Sequence, residues 1–151
     1  MKTASASQQL ASFVAKFDPA IAKVIRAARG KLRKRFPTAN ELVYDNFNFF
    51  VIGYCATERP TDCIVSIAAA ANGVALSFYY GSKIPDPKGI LKGSGSQNRS
   101  VRLPTAAVLD DPGVSKLIDE AVARARTPLP TTGRGRLIIR SISKKQRPRR
   151  K

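Results

Sequence analysis

The sequence predicts an α+β domain in which N-terminal helices and a C-terminal helix pack on an antiparallel sheet, followed by a basic extension. Three observations carry this. Apolar residues recur at helical spacing over 10–36 and again over 114–125, β-branched and aromatic runs of strand length fill 46–80, and the composition breaks near residue 127. The 151 residues suit one domain that buries about two thirds of the surface its unfolded chain exposes. No apolar run approaches the ~20 residues of a membrane-spanning helix. The N-terminal stretch has polar Ser and Gln where a secretion signal carries its apolar segment, so a cytoplasmic location is expected.

Leu10, Phe13, Val14 and Phe17 form one apolar stripe, which Asp18-Pro19 stops. The same pair suits the start of a second helix, with Asp as N-cap and Pro at the first helical position. Ile21, Val24, Ile25, Ala28, Leu32 and Phe36 make its buried stripe, its other side is basic, and Pro37 ends it. "FNFFVIGYC", "CIVSIAAAA" and "VALSFYY" then read as strands. Asn72-Gly73 between the last two suggests a type I′ hairpin turn, because both residues tolerate positive φ. "RSVRL" is one more strand. Asp111-Pro112 repeats the cap-and-start pair ahead of a helix that runs to about Arg126. The domain therefore spans 8–126. Residues 127–151, with three prolines and no acid, are expected to be flexible. Leu137, Ile138 and Ile139 are the exception: they could add an edge strand, dock on the domain, or stay exposed.

The chain has no histidine, which removes Ser-His-Asp and Cys-His machinery, the usual imidazole base and mixed Cys/His zinc sites. Cys55 and Cys63 lack CxxC spacing and read as small buried hydrophobes on neighbouring strands, a disulfide being disfavoured in the cytoplasm. The net charge of +17 is uneven. Residues 1–37 carry +8, residues 38–120 carry −2, and residues 121–151 carry +11.

The segment "GILKGSGSQNRSVRL" allows two readings. A P-loop needs GxxxxGK[ST] ahead of a helix, whereas these glycines lead into a strand without a Gly-Lys-Ser/Thr, so nucleotide hydrolysis is not expected. A weaker anion site from Gly93, Gly95, Arg99 and Arg102 is the ligand-binding candidate. The alternative is a tight turn with both arginines pointing outward from a strand whose Val101 faces the core. "YYGSKIPDPKGILKGSGSQNRSVRL", then "DDPGVSKLIDEAVARA", together with the N-terminal stretch from Leu10 to Tyr44, resembles the YdhG-like family of bacterial domains. That resemblance implies helices on an antiparallel sheet, reminiscent of frataxins, and for some members a frataxin-like iron-chaperone role.

No cofactor follows from the residues themselves; iron enters through the resemblance alone. Iron without histidine needs clustered carboxylates. The weak candidates are Glu41 with Asp45, and Asp86 with Asp110 and Asp111, for which turn and cap chemistry is the alternative. Lys31, Arg33, Lys34 and Arg35 on the basic helix, with Lys144, Lys145, Arg147, Arg149, Arg150 and Lys151 in the extension, are the polyanion-binding candidates. The extension itself contains no aromatic residue to stack on bases, so nucleic-acid binding there would be nonspecific. Of Tyr79 and Tyr80, adjacent on a strand, one is expected in the core. Three readings result: a noncatalytic binding or chaperone-like module using the sheet face or the 93–102 loop, a nonspecific nucleic-acid-associated protein, and, last, an enzyme working through carboxylates and arginine.

Overall fold

A computed structural model describes residues 4–151; Lys2, part of the N-terminal stretch read above, lies outside the described residues. Helix α1 (Ala6–Val14) begins at a capping box. The Ser5 hydroxyl accepts from the Gln8 N–H and the Gln8 side chain accepts from the Ser5 N–H, so two otherwise unpaired donors are satisfied reciprocally. Helix α2 (Pro19–Arg35) starts at Pro19 as expected, but the Asp18 side chain makes no capping hydrogen bond. Asp111 does cap α3 (Pro112–Ala123), accepting from the N–H groups of Gly113 and Val114. The shared Asp-Pro pair thus acts through proline in both helices and through the carboxylate only in the second.

The strands are β1 (Asn40–Asp45), β2 (Phe50–Cys55), β3 (Cys63–Ala70), β4 (Gly73–Phe78), β5 (Arg99–Arg102) and β6 (Leu137–Ile142). Their order across the sheet is β5-β4-β3-β2-β1-β6, antiparallel throughout except for the parallel β1–β6 pair. The fold is therefore of the α+β class. The turn at Asn72-Gly73 is not type I′: Gly73 alone takes positive φ and pairs with Ala70, which leaves Ala71 and Asn72 as the loop.

Alternate strand residues point to one face. Phe50, Ile52 and Tyr54, then Val65, Ile67 and Ala69, then Val74, Leu76 and Phe78 join the apolar stripes of all three helices in one core. The opposite face carries a small cluster in which Leu42, Cys55 and Cys63 lie under Tyr44, Tyr79 and Ile138. Cys55 and Cys63 are directly opposite across β2–β3, as free buried thiols. Their mutual hydrogen bond and burial push the Cys55 thiol pKa far up. Tyr54 is the fully buried tyrosine; Tyr79 and Tyr80 are both only half-buried, because β4 ends before them.

Part of the extension joins the sheet. β6 lies parallel to β1 and satisfies backbone groups that an edge strand would leave unpaired. It is seated by a backbone contact too close for any side chain: Gly135 donates to the Pro37 carbonyl at 3.0 Å, and a Cβ at Gly135 would stand 1.6 Å from the Ala39 carbonyl oxygen. The sheet therefore extends past residue 126, and the expected boundary falls inside the domain. Gly135→Ala is expected to lower stability by about 1–3 kcal/mol through overpacking. Amide exchange should then accelerate in β6 while β3 stays protected. Unchanged protection in β6 would count against this seat. Among the described residues, no helix is long and apolar enough to cross a membrane.

Candidate functional site

The loop candidate is engaged with itself. The Arg99 guanidinium donates from Nη1 to the carbonyls of Gly95 (2.6 Å) and Asn98 (2.8 Å), and Arg102 Nη2 donates to the Asn72 carbonyl at 2.9 Å. Gly93 takes positive φ in the turn. The two arginines, three apart on β5, fall on opposite faces rather than both outward, and Arg99 shares the face of Val101. This segment presents backbone oxygens where an anion cradle needs N–H groups.

The carboxylate candidates also have partners. Glu41 is paired with Arg29 and Asp45 with Lys16 and Arg149. Asp86 accepts from the backbone N–H groups of Ile90 and Leu91, Asp110 pairs with Lys31, and Asp111 caps α3. Among the described residues, no three acids or cysteines converge as a metal-holding group. The residues present do not fit iron, which would have to displace a cation or a backbone donor at each carboxylate. A cavity of about 460 Å³ beside Tyr80, Lys83, Arg124 and Arg126 contains one carboxylate, Asp62. Thr57, Arg59 and Thr127 all donate to it.

The polyanion candidates divide sharply. On α2, Lys31 pairs with Asp110, Arg35 with Asp119, and Arg33 stands 3.7 Å from Glu41, so Lys34 is the member of that run without an acidic partner among the described residues. In the extension, Arg149 is not available to a ligand. Its side chain is 3% exposed, and Nη2 donates to Asp45 Oδ1 at 2.9 Å and to the Asn46 carbonyl at 2.6 Å. The guanidinium also lies against the Phe17 ring, 5.9 Å from its centroid. Asp45 is fully buried and takes a second ion pair from Lys16 Nζ at 2.7 Å. Burial alone would raise the Asp45 pKa, but hydrogen bonds from Lys16, Gln146 and Arg149 outweigh it and hold the carboxyl below its usual range.

This buried anchor carries the exposed cations to the β1–β2 turn. Arg147 donates its backbone N–H to the Phe47 carbonyl at 2.8 Å and its Nε to Asn48 Oδ1 at 2.8 Å, and its guanidinium lies 5.4 Å from the Phe47 ring centroid. Arg150 reaches the other way and donates to the carbonyls ending α1, Lys16 at 3.1 Å and Ala15 at 3.3 Å. Phe47 is 45% exposed and Phe49 50%, although both are large apolar residues. Phe49, Asn72, Arg147 and Arg150 border a shallow recess of about 450 Å³. Lys144, Lys145 and Lys151, neighbours of these arginines in the chain, are exposed. Two solvent-facing aromatic rings thus stand with Arg147 and Arg150, and three exposed lysines adjoin these arginines in the chain.

The two aromatics were absent from the sequence-derived site because they come from another part of the chain, about a hundred residues before Arg147. One signal was present: Phe47 and Phe49 share a strand parity with Val51, so on a hairpin with a single core face they could not join Phe50 inside. No family model matches this chain, and no curated protein or solved structure matches it either. Any functional reading therefore rests on the residues themselves.

Proposed function

We propose that this protein is a noncatalytic nucleic-acid-binding module that holds single strands without sequence preference at the Phe47/Phe49 turn. The observation that carries the reading is the meeting of exposed aromatic rings with Arg147 and Arg150, in a segment that also carries the exposed Lys144, Lys145 and Lys151. Bases stack on aromatic faces regardless of sequence, and cations beside them follow the phosphate backbone. A duplex keeps its base faces covered, so the rings favour a single strand. Net charge of +17 adds long-range attraction for any polyanion.

Deletion after Thr132 is a poor test, since it removes β6 and strips the edge of β1. Neutralising Lys144, Lys145, Arg147 and Arg150 together to serine keeps the strand. Anisotropy with a labelled single-stranded oligonucleotide across a salt series is expected to give a log–log slope near −0.7 for each phosphate engaged, shallower in the fourfold variant by about 0.7 per lost contact. No binding at low salt, or a slope the variant leaves untouched, would sink the proposal. So would tighter binding to duplex than to single strand at equal salt.

A further inference from the structure

A second group of cations lies at the other end of β1, where α2, the first turn of α1 and the start of the extension enclose a cleft of about 340 Å³. Arg29, Arg33 and Lys34 enter it from α2 and Arg134 from the extension. One acid, Glu41, lies beneath them with its side chain 7% exposed. Arg29 donates to it from Nε at 2.9 Å and Nη2 at 3.0 Å, and the Tyr54 hydroxyl donates at 2.8 Å. Four cations thus face one carboxylate.

Glu41 therefore orients the cluster without neutralising it. Its bidentate grip uses one edge of Arg29, while Arg33 stands beside the second carboxylate oxygen; among the described residues, Arg29 Nη1 and the terminal nitrogens of Arg33 have no partner. Lys34 and Arg134 have no acidic partner among the described residues. Arg134 is held between Gly133, at φ +84°, and Gly135, whose contact with Ala39 admits no Cβ. Like charges brought together by fixed backbone repel one another unless an anion sits between them. The anion whose oxygens match several guanidinium N–H donors at once is a phosphate.

We infer that this cleft binds a phosphate group, either of a small phosphomonoester or diphosphate or at the end of a nucleic-acid strand. It lies at the other end of β1 from the aromatic turn and shares no lining residue with the recess there. The inference stands independently of the strand-binding reading.

Titration calorimetry of the full chain with inorganic pyrophosphate at low salt tests it. Saturable one-site binding is expected, at least tenfold weaker in Arg134→Ser and in Lys34→Ser, both exposed positions outside the Glu41 grip. Lys116→Ser, on α3, removes an equal charge elsewhere and is expected to change little. No saturable binding would overturn the inference, as would a loss in Lys116→Ser equal to that in Arg134→Ser. Oligonucleotides with and without a terminal phosphate then separate the sources. A gain from the terminal phosphate that Arg134→Ser abolishes identifies a strand end; pyrophosphate binding without such a gain identifies a free phosphate compound.

Discussion

Changing Phe47 and Phe49 together to alanine is expected to weaken single-strand binding by about 1–3 kcal/mol for each base that stacks. That corresponds to between several-fold and roughly a hundredfold per ring, and it should come with an almost unchanged salt slope, because no cation is removed. The two rings are half exposed, so their loss should leave the thermal midpoint nearly where it was. Phenylalanine to leucine at both sites sharpens the test. Leucine keeps much of the apolar area but has no π-face, so affinity should stay close to that of the alanine pair if stacking is the interaction. Recovery of full affinity with leucine would mean that the rings supply only hydrophobic contact. An undiminished affinity in the alanine pair would remove the aromatic turn from the site.

Asp45→Asn is expected to cost about 3–5 kcal/mol, the usual penalty for breaking a buried ion pair by removing one partner. It leaves Arg149 with its charge intact, a side chain 3% exposed and no carboxylate to meet it. Total stabilities of domains are about 5–15 kcal/mol, so the variant should melt well below the parent. The acid limb of the stability curve should change with it. Asp45 binds its proton less readily in the folded chain than its ordinary pKa of 3.8 implies. Its contribution is thus complete above that value and is lost as the pH falls through the lower folded one. Asp45→Asn should remove this part of the acid dependence. Adding Arg149→Met to Asp45→Asn should recover part of the stability, because the second substitution removes the stranded charge. A single variant as stable as the parent in urea unfolding would contradict the anchor.

Most of the helical layer could be read from spacing: the stripes at Leu10, Phe13 and Val14, at Ile25, Ala28 and Leu32, and at Leu117, Ile118 and Ala121 are all buried. The β2–β3–β4 meander was legible from its apolar runs. β1 was not, because Glu41 and Asp45 interrupt its apolar pattern on the core face, and only the arriving cations make them tolerable there. The same long-range pairing hid the fate of the extension. Its composition describes a chain that does not pack by itself, whereas its actual partners are the unfilled edge of β1 and the carboxylate of Asp45. Of the candidate site, the exposed lysines and Arg147 and Arg150 were visible as charge. Arg149 looked the same in sequence and turned out to be the buried anchor, a distinction made only by residues more than a hundred positions away.

The parallel pairing of β6 with β1 also bears on the order of assembly during synthesis. β1 can pair with β2 as soon as the hairpin leaves the ribosome, but Asp45 waits for Arg149, 104 residues later. Until then a buried acid has only Lys16 for company, and the outer edge of β1 is open to any passing strand. The segment most strongly charged for a polyanion is thus also the one that closes the sheet. A nascent chain detained on any polyanion by its early basic helix would meet its own completion step in competition with that polyanion.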